Sequence, residues 1–272
     1  MCNVKRTMSG KEFDVFSNGF VKITKENAQN AKNAIENDRF YNRAYDKTLK
    51  GSSAKKFDEY KCTESNNEIL SQILSALNTE NSTRVSNDDL KDICNNINKH
   101  NIEDELKRLN NEKSKIEKYE IIKKIYKDVK SGKTLLSFAS KFCHFYCLHM
   151  FREKDEEIPA IVDSFPIIDS VMRKVIPIYD FLYNSNCNNY SNYKTQSNLY
   201  KYRIAEYKKI NEEIGITEYY KNYVTALINI SNNISERCHK QVTVTEIEQL
   251  LWWFYRGITD DIDGIKDETY PH

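Results

Sequence analysis

Apolar residues recur at three- and four-residue spacing through most of the chain beyond Ser65, the period of one face of an α-helix. Ile69, Leu70, Ile73, Leu74 and Leu77 form the first such stripe. Leu90, Ile93, Cys94 and Ile97 form the second, behind Asn87-Asp88-Asp89, a sequence suited to capping. A long charged segment from Ile102 to Lys130 carries Leu106, Leu109, Ile116, Tyr119, Ile122, Tyr126 and Val129, with a break expected near Asn110-Asn111 and a stop at Ser131-Gly132. Thr134 is placed to cap the next helix, whose apolar face is Leu135, Phe138, Ala139, Phe142, Phe145 and Tyr146. Beyond the charged 152–157 segment, Pro159 and Pro166 punctuate an extended or turning stretch. A helix then starts near Asp169 with Val171, Met172, Val175, Ile178, Tyr179 and Leu182. After an Asn/Ser/Tyr loop over 184–198, helices are expected over 199–214, 217–234 and from Thr243 or Thr245 to Gly257. The first 63 residues read as irregular, with a short helix over 25–36 and a loop at Lys50-Gly51-Ser52-Ser53. The predicted fold class is all-α. An N-terminal extension (1–63) packs on a helical body (64–257), which ends in an acidic tail (258–272).

Composition agrees with this reading. Only 7 Gly and 4 Pro occur in 272 residues, too few turn-formers for a sheet-rich fold of this size. The hydrophobic class is 39% and aromatics 12%, enough to fill a core. The 41 Lys and Arg nearly balance 40 Asp and Glu, so a nucleic-acid site must be a local patch. No apolar run approaches the roughly 20 residues that cross a bilayer, and Met1 to Lys25 lacks the apolar stretch of a secretory signal. Seven scattered Cys read as reduced thiols. Together these predict a cytoplasmic protein with no membrane partner.

Two residues stand out as candidate chemistry. Lys141 lies beside the stripe of Phe138, Phe142 and Phe145, where partial desolvation lowers an amine's pKa and makes it a usable nucleophile. Its ordinary alternative is a lysine whose stem covers the core. Asp169 follows a Pro-containing turn at a helix start. Capping is its default role, and acid/base work is the functional one. Arg173, four residues on, is placed to pair with it.

The stretch Lys133-Thr134-Leu135-Leu136-Ser137-Phe138-Ala139-Ser140-Lys141-Phe142, followed by Phe165-Pro166-Ile167-Ile168-Asp169 and Val171-Met172-Arg173, resembles the helix-hairpin-helix DNA glycosylase/lyase superfamily. It looks most like the 8-oxoguanine glycosylase fold, in its archaeal-type branch with a divergent hairpin. The aromatic run Leu250-Leu251-Trp252-Trp253-Phe254-Tyr255 is similar to the family's last helix. The resemblance implies that Lys141 attacks C1′ of a damaged nucleoside while Asp169 assists loss of the base. Lys133 is a rival for the lysine and Asp163 for the aspartate. Gly132 alone stands where the family has a Gly-x-Gly turn, so the hairpin is degenerate.

A glycosylase must hold an extruded base between aromatic or apolar side chains. Phe138, Phe142, Phe145, Trp252 and Trp253 are the candidates, with core packing as their ordinary role. The segment 107–133 holds ten Lys and Arg against four acids, including Lys123, Lys124, Lys127, Lys130 and Lys133, a stripe suited to phosphates. Its alternative is a solvated helix laced with i,i+4 pairs. Cys143-His144-x-x-Cys147-x-His149 is set aside as buried thiols, and Asp260-Asp261-Ile262-Asp263-Gly264 as a calcium loop lacking its Glu. No metal or cofactor is expected. No phosphate-binding loop or hydrolase elbow is present, and no Arg stands four to six residues before a His, the spacing that would suggest a helical ribonuclease. The expected function is a DNA or nucleoside N-glycosylase with a nucleic-acid partner. The alternative is a non-catalytic module of the same fold that binds a nucleobase, nucleic acid or protein, in a bacterial anti-phage defence operon.

Overall fold

The computed structural model describes residues 4–8, 10–16, 19–37, 52–63, 66–81, 83–112, 118–129, 135–152, 158–184, 218–236 and 240–256. In chain order the elements are β1 (Val4–Met8), β2 (Lys11–Val15), α1 (Lys25–Asn37), α2 (Ser52–Cys62), α3 (Asn67–Glu80), α4 (Asn87–Lys99), α5 (Ile102–Glu112), α6 (Lys118–Tyr126) and α7 (Leu136–Phe151). A 3₁₀ turn (Ala160–Ser164), α8 (Ser170–Asn184), α9 (218–236) and α10 (Val244–Arg256) follow. The described residues are mostly helical, as expected, with one two-stranded sheet that the hydrophobic pattern does not announce. The expected helix over 199–214, the loop over 184–198 (bar Asn184) and the acidic tail lie outside the described residues. The chain divides into two compact units, residues 1–38 with 169–272 and residues 39–168, whereas the sequence reading places its first boundary at 63/64.

In the first unit β1 and β2 pair antiparallel from Val4↔Val15 to Met8↔Lys11. The two-residue connection succeeds because Gly10 takes φ +71°, a conformation that side chains disfavour. Phe13 and Val15 point inward between exposed Glu12 and half-buried Asp14. Asn27 of α1 fastens the strand. Its amide donates to the carbonyls of Asp14 (2.9 Å) and Lys22 (2.8 Å) and accepts from the Asp14 N–H (3.0 Å). Thr24 caps α1 by accepting from the Asn27 N–H at 3.0 Å.

Two buried tyrosines then read the backbone at Val21. Tyr179 of α8 donates to the Val21 carbonyl at 2.6 Å, so the proton shared with Tyr255 of α10 (2.7 Å) must come from Tyr255. The Tyr255 oxygen is left to accept from the Val21 N–H at 3.3 Å. The three bonds close a circuit in which every donor finds an acceptor. Tyr183, one turn on, accepts from the Ile23 N–H at 2.9 Å. Trp253 stacks on Phe13 at 5.0 Å, and Lys25 pairs with Glu246 at 2.5 Å, so α1, β2 and α10 share one core.

In the second unit α7 is buried nearly all round: Phe138, Phe142, Cys143, His144, Phe145, Tyr146, Cys147 and Leu148 are all inside. A helix apolar on every face belongs at the centre of a bundle, and α2, α3, α5 and α6 pack on it. Its N-cap position is Leu135, with no side-chain cap bond. The expected capping residue Thr134 lies outside the described residues. Helix α4 is capped by Ser86, one residue before the expected Asn87-Asp88-Asp89 signal, through a 3.2 Å bond from the Asp89 N–H. Helix α2 is closed from a distance. The Glu80 carboxylate accepts from the N–H groups of Ser52 (2.8 Å) and Ser53 (3.2 Å) and from the Ser53 hydroxyl, where a helix N-terminus favours negative charge. Asn96 of α4 donates to the carbonyls of Ile125 (3.2 Å) and Lys127 (2.7 Å), covering the end of α6.

His144 of α7 is an imidazole buried in the second unit. Its Nδ1 lies 3.0 Å from the Phe165 carbonyl and therefore carries the proton, while the buried Nε2 has no hydrogen-bond partner among the described residues. Burial, aided by nearby His149 and opposed by the Phe165 bond, pushes its pKa down to about 4.

Two stability predictions follow from these networks. Tyr255→Phe strands the buried Val21 N–H and costs about 1–3 kcal/mol in urea unfolding, and a loss under about 0.5 kcal/mol would break the circuit's assignment. His144 is neutral when folded, so its stability contribution is full above the unfolded value of 6.5 and is lost as pH falls toward 4. Between pH 7 and pH 4 the wild type should lose about 3 kcal/mol more than His144→Gln. Equal losses would contradict the buried neutral imidazole.

Candidate functional site

Asp169 opens α8. One carboxylate oxygen accepts from the Met172 N–H at 2.8 Å, and the Arg173 N–H bonds the Asp169 carbonyl at 3.0 Å, which together cap the helix. The other carboxylate oxygen accepts from the indole N–H of Trp252 in α10 at 2.8 Å. The structure thus brings together two residues singled out in the sequence, in an arrangement that joins two helices of the first unit. Arg173, expected to pair with Asp169, is exposed and makes no ion pair with it. Trp252 is half-buried, whereas Trp253 is 1% exposed and faces Phe13, so the adjacent tryptophans do point different ways. Glu248, one turn before Trp252 on α10, is buried, and its charge with that of Asp169 helps hold the buried Tyr223 hydroxyl protonated, though burial is the larger cause.

Lys141 belongs to the second unit and Asp169 to the first. Lys141 is half-buried, in keeping with a place at the edge of the apolar stripe. Phe138, Phe142 and Phe145, expected to line a base pocket, are 2%, 0% and 1% exposed. They fill the centre of the second unit, and Phe142 meets Tyr146 at 5.6 Å. Beside Lys141, Ser140 accepts from the Ile168 N–H at 3.2 Å and donates to the Ser137 carbonyl at 3.1 Å. A side-chain hydroxyl therefore supports the chain as it leaves the 3₁₀ turn.

The basic stripe is partly neutralised. Lys124 pairs with Glu105 at 2.6 Å, and Lys123 approaches Glu120 at 3.8 Å. Lys107 approaches Asp104 at 3.6 Å. Lys107, Arg108, Lys123 and Lys127 are exposed, whereas Lys130 and Lys133 lie outside the described residues. Burial pushes the Cys143 and Cys147 thiols well above their ordinary pKa, and His149 stacks on Phe57 at 4.8 Å. Among the described residues no group of three or more His, Cys, Asp or Glu is placed to hold a metal ion.

Two constellations in the second unit escaped the sequence reading. Glu103 of α5 accepts from the Tyr60 hydroxyl of α2 at 2.5 Å and lies beside Tyr146 of α7. Burial raises the Glu103 carboxyl despite help from Tyr60 and Lys107, and raises the nearby Cys94 thiol of α4 as well. These four residues come from four helices, so no local motif announces them. The second constellation joins Lys118, the first residue of α6, to the 3₁₀ turn: its amine donates to the Ser164 hydroxyl at 2.7 Å, with Asp163 alongside. Here the sequence did carry a signal, because Asp163 was a rival to Asp169, but nothing local ties it to a lysine 45 positions earlier. Comparison with protein-family models, with curated proteins and with solved structures returns no significant match for this chain.

Proposed function

We propose that the chain is a non-catalytic helical module that binds nucleic acid through the basic face around α6. The observation that carries this choice over base excision is the state of Asp169. An acid/base carboxylate must face the reacting group, and both oxygens of Asp169 are turned to partners within the fold, one to a helix N-terminus and one to an indole. Phe138, Phe142 and Phe145, three of the aromatic residues that would have to grip an extruded base, are closed inside the core of the second unit. Lys107, Arg108, Lys123 and Lys127, all within the expected phosphate stripe, remain at the surface. Contacts of this kind are sequence-independent, and their strength falls steeply with salt because counterions are released.

The rival reading, an N-glycosylase/lyase acting through Lys141, is supported by the half-buried position of that residue. One set of measurements separates the two. Wild-type protein should bind labelled single- or double-stranded DNA in low salt. The variant Lys123→Glu/Lys127→Glu should bind at least about tenfold more weakly, with the slope of log affinity against log salt reduced by about two. Lys141→Gln should bind as the wild type does. Unchanged affinity in the double variant would remove the basic face. A borohydride-trapped adduct on damaged-base DNA that disappears in Lys141→Gln would reinstate the glycosylase.

A further inference from the structure

We propose that the basic face takes its nucleic acid as a single strand, with the Tyr126 ring of α6 serving as the platform on which one base stacks. This rests on the nucleic-acid reading of that face and specifies the kind of strand it holds.

The position of the ring carries the assignment. Ile121, Ile122 and Ile125 form the buried face of α6. Tyr126 is half-buried, one turn beyond the exposed Lys123 and next to the exposed Lys127. Its surroundings are unlike those of the tyrosines already described. Tyr60, Tyr179, Tyr183 and Tyr255 give or accept hydrogen bonds within the protein, and Tyr220 and Tyr223 stack on each other at 6.1 Å. Tyr126 has neither a hydrogen-bond partner nor a ring partner among the described residues. Burial, with a smaller push from the Glu120 charge, raises its hydroxyl above the ordinary value, so it stays a neutral phenol that does not repel phosphates.

The cations beside the ring come from two helices. Asn96 of α4 donates to the carbonyls of Ile125 and Lys127, the residues on either side of Tyr126, and so fixes the end of α6 against α4. Lys99, one turn past Asn96 on α4, is exposed, as Lys123 and Lys127 are. Glu120, 3.8 Å from Lys123, and the exposed Asp128 offset part of this positive charge. The attraction for phosphates is thus modest, and it does not select one kind of strand. The ring does select. Base faces are covered by their neighbours in a duplex and are open in a single strand, so an aromatic ring among lysines adds affinity for the single strand.

The test is fluorescence anisotropy of the full-length protein with labelled oligothymidine and with a labelled duplex of the same length, in low salt. The wild type should bind the single strand several-fold more tightly than the duplex. Tyr126→Leu should bind the single strand about fivefold or more weakly than the wild type does, with its duplex affinity and both salt slopes unchanged. That unchanged duplex affinity also reports that the variant is folded. Tyr126→Phe, which keeps the ring, should retain the wild-type preference. An unaltered single-strand affinity in Tyr126→Leu, or equal losses on the two substrates, would overturn the stacking role and leave the basic face standing. Failure of the wild type to bind either substrate would remove the basic face and the stacking role together.

Discussion

At the start of α8, one carboxylate meets two demands at once. The helix presents N–H groups that have no partner within its own first turn, and α10 presents an indole that can only donate. Asp169 answers both, with the Met172 N–H and the Trp252 ring each at 2.8 Å. The functional reading rests on this double engagement. A free carboxylate opening a helix is an attractive acid/base group, but one that joins two helices is an architectural element, and disturbing it disturbs both.

The same logic governs the aromatic residues of α7. On a surface helix, Phe138, Phe142 and Phe145 would form a stripe with one edge able to meet a ligand. Here the opposite face carries Cys143, His144 and Cys147, which are buried too. The helix is therefore central, and its phenylalanines are surrounded by protein. Lys141 is the polar interruption in this run, half-buried among them. The tyrosine circuit plays the corresponding part in the first unit, where Tyr179 and Tyr255 satisfy the backbone of Val21 and tie the N-terminal segment to two helices far along the chain.

What the sequence disclosed followed from how local the cause was. Helices α3, α4, α7, α8 and α10 carry apolar stripes of their own, and their positions were legible to within a few residues. The hairpin was not, because the alternation Glu12-Phe13-Asp14-Val15 is short and its support comes from Asn27 and from a single glycine turn. Helix α2 was passed over because its N-terminus is closed by Glu80, which is 27 and 28 residues away from the groups it serves. The division at 38/39 and 168/169 was hidden for a related reason, since residues 1–38 find their partners beyond residue 168. Asp169 was legible as a helix opener, but its partner Trp252 was singled out for stacking, a role that overlooks its N–H. Lys118 and Glu103 gave no local sign because the residues that alter their chemistry come from other elements.

The central claim is that Asp169 is spent on architecture, and a double-mutant cycle measures it. Urea unfolding of the wild type, Asp169→Ala, Trp252→Phe and the double variant should yield a coupling energy of about 1 kcal/mol or more between the two positions, since either change alone already breaks their shared bond. Strictly additive losses would mean that the carboxylate and the indole do not act together, and would return Asp169 to the set of groups available for chemistry.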